Sequence, residues 1–556
     1  MRKLQSILKL FLLAVGALIL FSCHHGPPKT DVTATVEDLN DRIINDLKDY
    51  VAYLDSHGGK IGLEQGDSQT IDKPAALALF YRQRGYRPAW SDTGRLSSSG
   101  DSLMGEIAQS ADDGLVPGWY HETLLRKLLR QIGADSIGRR DAVKWSVADL
   151  LLTDAFMHLA SNVRFGLLPP DSISLKRDSA FSDSALIDLL SSSLTQERVS
   201  GIIDSLRPQF ASYQELSAAL HRYRERMAGR HWDTLPGPAE SDSLTFQRLL
   251  GQRMLAAGAL DSADADNPGR IKEAVKHFQR SHGLYPDGIA GSQTVQALNL
   301  PVAYRLRQIA VNLERWRHRS DSMPVAYLWV NIPAYSLQLH DSDSVILTSR
   351  VIVGKPGHET PLLNSTLTNF QLYPYWRVPI SIIAKEMLPR IRRDTGYLTR
   401  NNLEVVDRHN NVVDPKKLNW KKYNAHYFPY VIRQMTGLDN SLGIIKFNFS
   451  NKYSVYLHDT NLRNLFNLTR RALSHGCVRV QQWEPLAMYL IRNDTTRHMP
   501  DSVTVWMAEQ EQKLVSLRTR VPVYFRYITC SADGKGNLTF YPDIYGYDTL
   551  LMKRIF

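Results

Sequence analysis

His458 in Tyr456-Leu-His-Asp-Thr460 and Cys477 in Ser474-His-Gly-Cys-Val-Arg479 stand 19 positions apart, and Cys477 is one of only three cysteines in 556 residues. A thiol is a useful nucleophile when a base or a positive charge lowers its pKa, and His458 and His475 are both near in sequence. Gly476 leaves room for a substrate backbone and permits unusual φ/ψ. It also leaves the Gly476 and Cys477 N–H groups as candidates to meet a developing oxyanion. The chemistry implied is acyl transfer through a thioester, with His458 as base and then proton donor. Cys/His proximity also occurs in purely structural settings. Zinc is the competing chemistry, since Cys477, His458 and His475 make three candidate ligands. No Cys-x-x-Cys or His-Glu-x-x-His pattern accompanies them, so no metal and no cofactor are expected.

These residues need a scaffold. The apolar run Tyr453–Leu457 reads as a strand delivering His458 to its end, and Arg470–Leu473 leads into the Ser474 turn. Period-two alternation puts Tyr456 on the face of His458, lining a cleft or packed in a core. Strand patterns begin at Met323, with Ala326–Ile332, Tyr335–His340, Val345–Val353 and Ser365–Tyr373 separated by turns. From Tyr375 to Val431 this pattern breaks, opening on Trp376 and continuing through a helical-looking Ile383–Arg392. An interruption of that length in a compact β domain points to function. After Arg479 come a helix at Pro485–Ile491, a strand at Val503–Trp506, and Val521–Thr529 with Asn537–Tyr541 as a hairpin around Asp533-Gly534.

The string from His458-Asp-Thr to Ser474-His-Gly-Cys-Val-Arg479 resembles the signature of the L,D-transpeptidases with a YkuD-type catalytic domain. Val353-Gly-Lys-Pro and Arg433–Lys446 extend the likeness, which covers most of 73–556. The resemblance implies that Cys477 attacks the carbonyl of the third residue of a peptidoglycan tetrapeptide stem, releasing the terminal D-Ala. It implies that the backbone carbonyl of Asp459 orients His458, so the Asp459 carboxylate is no triad member. Ser474 and His475 are orientation candidates, with His475 contacting substrate or fixing the turn. Arg479 holds a stem carboxylate or a structural one, and Tyr456 and Trp376 are substrate-binding candidates. Residues 376–432 would be a capping subdomain. Transfer to a neighbouring stem amine gives a 3→3 cross-link, transfer to water an L,D-carboxypeptidase, and transfer to a protein lysine a protein-to-wall ligase. A reading from another class is a wall-docking lipoprotein with a silent transferase domain. A secreted cysteine protease would carry a different pattern around its Cys. Penems and carbapenems are implied as covalent inhibitors of Cys477.

Upstream, Lys73–240 reads as a helical domain without a concentration of titratable groups. Its Asp112-Asp-Gly-Leu-x-Pro117 and Ala155–Pro170 stretches resemble the scaffold of the larger family members. Residues 244–300 hold three helical stretches, with Ser292 expected to cap the third. Phe278-Gln, Gly283-Leu, Asp287-Gly-Ile-x-Gly291 and Ala297-Leu-Asn299 resemble the small three-helix peptidoglycan-binding module. Pro301–His318 reads as a helix linking this module to a catalytic domain at 323–556. The fold expected is therefore multidomain α+β: helical scaffold, small three-helix module, and β-rich YkuD-type domain with an inserted cap. Residues 24–72 read as a partly ordered tether that contains a helical-looking piece, Val36–Leu54. Arg2 and Lys3 precede an apolar run, Leu10–Leu20, that is too short to span a bilayer and fits a signal peptide. Leu20-Phe-Ser-Cys23 resembles a lipobox, making Cys23 the expected lipidation site and the envelope side of a membrane the expected location. Cys530 is the remaining thiol, expected in a buried strand. The net charge of +11 suits an anionic partner such as cell wall. No nucleic-acid motif accompanies it.

Overall fold

The computed structural model describes residues 31–556 apart from 36, 64–67, 170–179, 241, 320–321, 343 and 495–499. The apolar run Leu10–Leu20 and Cys23 lie outside the described residues. Among the described residues no helix is long and apolar enough to cross a membrane. The chain divides into two compact units.

The first unit is helical and is built around Ala142–Phe165, which is buried on nearly every face. A helix apolar all round must be enclosed by others. Helices Pro74–Gln83, Ser98–Gln109, Glu122–Gly133, Asp183–Thr195 and Val199–Leu206 bury their apolar faces in the same core. Two carboxylates inside the central helix are satisfied by the surrounding chain, as buried charges must be. Asp149 accepts from Tyr81 Oη at 2.6 Å and from the Ala89 and Trp90 N–H groups. Asp154 accepts from Asp72 N–H and pairs with His121 Nε2 at 2.7 Å. The helical-looking piece expected inside the tether is a regular helix, Glu37–Ser56, but no loose tether: its Leu39, Ile43, Leu47, Tyr50, Val51 and Leu54 belong to this core. Its charged outer face hides an apolar stripe at helical spacing.

The second unit contains the three-helix module, Ser243–Ala256, Pro268–Ser281 and Ser292–Leu298. Gln279 ties its loop together, donating to Asp287 Oδ1 and the Ile289 carbonyl at 2.9 Å each. Gly291, not Ser292, occupies the N-cap of the third helix, with no side-chain cap. Helix Val302–Arg317 follows, in this unit as far as Arg315.

The rest of this unit is a mixed nine-stranded sheet among the described residues. Its order is Ala472–Ser474, Ser344–Gly354, Val478–Val480, Leu457–His458, Ile445–Phe449, Leu363–Leu372, Lys513–Arg526, Ala326–Asn331 and Ser336–Asp341. The insertion forms its own four-stranded sheet, Val412–Val413, Leu403–Val406, Val431–Gln434 and Trp376–Arg377. Val378, Ile383, Leu388, Leu398, Trp420 and Ile432 give it a separate core.

Three local expectations are corrected. Of the run expected as a strand up to His458, only Leu457–His458 is strand, because the Asn451 side chain captures the Tyr453 and Val455 N–H groups and Ser454 takes a φ of 56°. Val503–Trp506 lies in a helix, Pro500–Ala508, where Val503 is buried and Val505 half exposed, opposite to strand alternation. Pro at the first helical turn is the local signal that outweighs the β-branched residues. Finally, Val521–Arg526 continues the long strand Lys513–Arg526 after a register shift. The hairpin is Cys530–Ala532 with Leu538–Phe540. Cys530 is fully buried in it, and Cys477 and Cys530 are both free thiols.

Candidate active site

Sheet register assembles the site. Lys446 on one neighbouring strand and Arg479 on the other stand opposite His458. Residues opposite one another on adjacent strands project to the same face. The imidazole is thus flanked by two cations, and His458 is 5% exposed. Burial, then Arg479 and Lys446, push its pKa down to about 3, opposed by the nearby carbonyls of Asp459 and Leu442. These carbonyls approach the ring, but no hydrogen bond of normal geometry closes on buried Nδ1. The ring is a neutral base in the resting protein.

Cys477 lies at the end of the turn that follows strand Ala472–Ser474. Burial raises its thiol pKa, against the opposing pull of Tyr456, Lys446 and Arg479. Its Sγ sits 4.0 Å from the Ser454 carbonyl. Thiol and imidazole are therefore both neutral at rest, not an ion pair. Tyr456 reaches the thiol and Trp376, and its own hydroxyl is held strongly protonated by burial. Its ring meets that of His458 edge-on at 5.5 Å, and the Lys446 ammonium lies 4.2 Å from its centroid.

The turn itself is stitched to the fold. Gly476 has a φ of 117°, a region that L side chains rarely adopt. Ser474 Oγ donates to the Cys477 carbonyl at 2.5 Å and accepts from Gly476 N–H at 3.1 Å. Thr360 Oγ1 donates to the Gly476 carbonyl at 2.8 Å. The Gly476 amide is thus occupied and is corrected as an oxyanion donor. No acceptor takes the Cys477 amide among the described residues, so that N–H remains the oxyanion candidate from this turn.

Asp459 does not face the imidazole. Its carboxylate accepts from Ile444 N–H at 3.1 Å and from Arg463 Nη1 at 2.5 Å. It fixes the loop before the Lys446 strand. His475 turns away from the nucleophile and joins Glu386 Oε1 at 2.6 Å. Glu386 lies on a π-helical turn of the insertion, Ile383–Met387, a geometry frequent at functional sites. His475 therefore ties the catalytic turn to the cap.

The nucleophile, the base and the groups around them line one cavity of about 410 Å³. Cys477, His458, Arg479, Tyr456, Ser474 and His475 come from the main sheet, and Trp376, Ile382, Glu386, Met387 and Tyr397 from the insertion. The buried Nε and Nη1 of Arg479 have no hydrogen-bond partner. Among the described residues the one carboxylate lining the cavity, Glu386, is already paired with His475. An unsatisfied buried guanidinium calls for an anion. Sequence reasoning missed Lys446 and Glu386. Lys446 carried a signal in alternation along its strand, whereas Glu386 sits on a helical turn whose docking no local pattern encodes. Among the described residues no group of three or more His, Cys, Asp or Glu could hold a metal ion.

Residues 325–499 match the family model described as the L,D-transpeptidase catalytic domain (YkuD), 246–298 that of the "Putative peptidoglycan binding domain", and 75–220 that of the "Scaffold domain". A protein of Haemophilus influenzae named "Putative L,D-transpeptidase" is 37% identical over 262 residues, 46% of this chain and 52% of that protein. The chain thus spans about half the length of this curated relative. Three solved L,D-transpeptidase structures also match. Transpeptidase 1 of Mycobacterium tuberculosis is 13% identical, covering 36% of this chain and 60% of that one, with a TM-score of 0.13. The Stackebrandtia nassauensis protein is 13% identical, covering 53% and 95%, at 0.18. Residues 123–326 of the Xylanimonas cellulosilytica protein are 14% identical, covering 53% and 98%, at 0.16. The sequence matches carry the assignment by region: a scaffold domain at 75–220 and a peptidoglycan-binding domain at 246–298 stand ahead of a YkuD L,D-transpeptidase catalytic domain at 325–499.

Proposed function

We propose that this chain cross-links peptidoglycan stems through a thioester on Cys477. The observation that carries the reading is the convergence of Cys477, His458, Tyr456 and the unpaired Arg479 in one covered cavity. A stem carboxylate on Arg479 supplies the anion that the cavity lacks. It also offsets one of the charges depressing His458, so substrate binding strengthens the base. His458 then takes the thiol proton as Sγ attacks the carbonyl of the third stem residue. The Cys477 N–H receives the oxyanion. Collapse breaks the C–N bond, and His458 returns the proton to the departing D-Ala amine. An amine of a neighbouring stem attacks the thioester, gives a proton to His458, and restores the thiol. The product is a 3→3 amide. Water in place of the amine yields a tripeptide, and a protein lysine yields a wall-linked protein. Lipidation at Cys23 would hold the enzyme at the envelope face where these stems lie.

Penems and carbapenems have a strained acyl bond that the same thiol opens. Incubation with a carbapenem is expected to add the mass of one inhibitor molecule to the intact chain, and Cys477→Ala is expected to show none. An adduct that persists in Cys477→Ala, or no adduct on the unaltered chain, overturns the assignment of the nucleophile.

A further inference from the structure

The insertion concentrates the chain's positive charge. Residues 376–432 hold eleven Lys and Arg against five Asp and Glu, a net +6 of the chain's +11 in about a tenth of its length. Four of these cations are set by two short 3-10 turns, Pro415–Lys417 and Trp420–Lys422. Trp420 is buried in the core of the insertion, and its indole Nε1 donates to the Pro415 carbonyl at 2.8 Å. That bond closes the segment into a compact loop, around which Lys416, Lys417, Lys421 and Lys422 are all exposed. A second segment is fastened beside it. Arg392 donates through Nε to the Trp420 carbonyl at 3.2 Å and through Nη2 to the Tyr423 carbonyl at 2.6 Å. Its neighbours Arg390 and Arg393 are exposed. Six exposed cations from two stretches of chain thus share one region of the surface.

The nearby acids are engaged elsewhere. Asp394 pairs with Arg400 at 2.6 Å, and Asp414 Oδ1 accepts from Lys416 N–H at 2.9 Å. Among the described residues, the ion pairs made by the insertion's carboxylates are Arg400–Asp394, Arg433–Glu404 and His475–Glu386, and none uses these six cations. Like charges held together in this way repel one another and are relieved by a multivalent anion. Two exposed apolar groups accompany them. Val412, two residues before Asp414, is 65% exposed, and Tyr427 is 57% exposed, its ring 6.1 Å from that of Tyr423. A bilayer surface matches this combination: headgroup phosphates meet the cations, and a tyrosine ring sits at the boundary of polar and apolar layers.

None of the six cations lines the Cys477 cavity, so this surface is distinct from the catalytic cleft. We propose that this face of the insertion docks on an anionic lipid surface, with Lys416, Lys417, Lys421, Lys422, Arg390 and Arg393 on headgroup phosphates and Tyr427 and Val412 at headgroup level. The lipidation expected at Cys23 would bring the chain to such a surface, and the docked face would then fix how the insertion is turned. Trp376, Ile382 and Tyr397 of the same insertion line the Cys477 cavity, so docking would hold the cleft at a set distance from the bilayer. The proposal is independent of the chemistry at Cys477.

The test is co-sedimentation of the full chain with vesicles of phosphatidylcholine alone and of phosphatidylcholine mixed with phosphatidylglycerol. Any pull from the N-terminus is common to all variants, so the readout is the preference for anionic over neutral vesicles. Each basic residue at such a surface strengthens binding about fivefold, and salt weakens the effect. The unaltered chain is therefore expected to prefer the anionic vesicles about tenfold or more, less so as salt rises. A variant carrying Lys416→Gln, Lys417→Gln, Lys421→Gln and Lys422→Gln should lose most of that preference with an unchanged Tm, since these side chains are exposed and make no ion pair. Four dispersed exposed lysines, Lys48, Lys60, Lys127 and Lys535, changed to Gln should leave it in place. No preference in the unaltered chain, or an undiminished one in the first variant, overturns the proposal. An equal loss in the dispersed variant overturns it too, because net charge alone would then account for binding. Binding to isolated wall sacculi that depends on the four lysines, with no preference among vesicles, would assign the surface to another polyanion and overturn lipid docking.

Discussion

His458→Ala is expected to lower kcat/KM by about 10²–10⁴-fold, the usual contribution of a positioned general base, while leaving the fold intact. The geometry also dictates the pH dependence. The folded imidazole titrates at about 3, well below its ordinary value near 6.5. Its neutral, proton-accepting form is therefore complete above that value and is lost only as pH falls through it. The thiol is shifted upward by burial, so Cys477 keeps its proton across the neutral range until His458 takes it. Activity is expected to be flat from about pH 5 to pH 8. A thiolate–imidazolium pair would give a different profile, with an acid limb set by a depressed thiol pKa. A steep fall near pH 6.5 in kcat/KM would contradict the structure, because it would show an imidazole titrating as if solvated.

The second large effect is expected at Gly443, three residues before Lys446. Its φ is 62°. A Cβ there would stand 2.2 Å from Asp459 Oδ2 and 2.6 Å from the Thr460 nitrogen. The backbone at Asp459 follows His458 directly and is held by Ile445, whose carbonyl accepts Asp459 N–H at 3.0 Å. Neither side can move without shifting the base. Gly443→Ala should therefore cost about 2–5 kcal/mol, combining left-handed strain with overpacking. The accompanying displacement of His458 should reduce kcat/KM about 100-fold. Gly437→Ala is the control. Its φ is 127°, but no atom lies within 4 Å of the added Cβ, so only the backbone term applies and turnover should hold. Equal losses in the two variants, measured by thermal melts and initial rates, would show that the clash near Asp459 does not matter.

Much of the site was legible in the order of residue types. Cys477, His458, Tyr456, Arg479 and Trp376 all reach one cavity, and period-two alternation already related Tyr456 to His458, although only Leu457–His458 is strand. What local pattern could not supply is pairing across the sheet. Lys446 lies 12 positions from His458 in sequence but directly opposite it in register. His475 looked like part of the nucleophile's machinery because it is adjacent to it in sequence. Its partner, Glu386, is 89 positions away, on a turn that only the fold brings near. Gly476 N–H was a plausible oxyanion donor until Ser474 claimed it. The same limit applies at a larger scale. Val36–Leu54 looks helical inside a polar tether, while its buried stripe is meaningful only against the core that receives it. Val503–Trp506 and Val521–Thr529 show the converse, where β-branched composition fits a strand but a proline start or a register shift decides the outcome.

The most direct test of the account is mass analysis of products after incubation with purified disaccharide-tetrapeptide, beside Cys477→Ala. A dimer lighter by one D-Ala than two donors joined by an amide, absent from the Cys477→Ala sample, is the predicted result. The same dimer from both samples, or turnover of the donor with Cys477 removed, would contradict a Cys477 thioester.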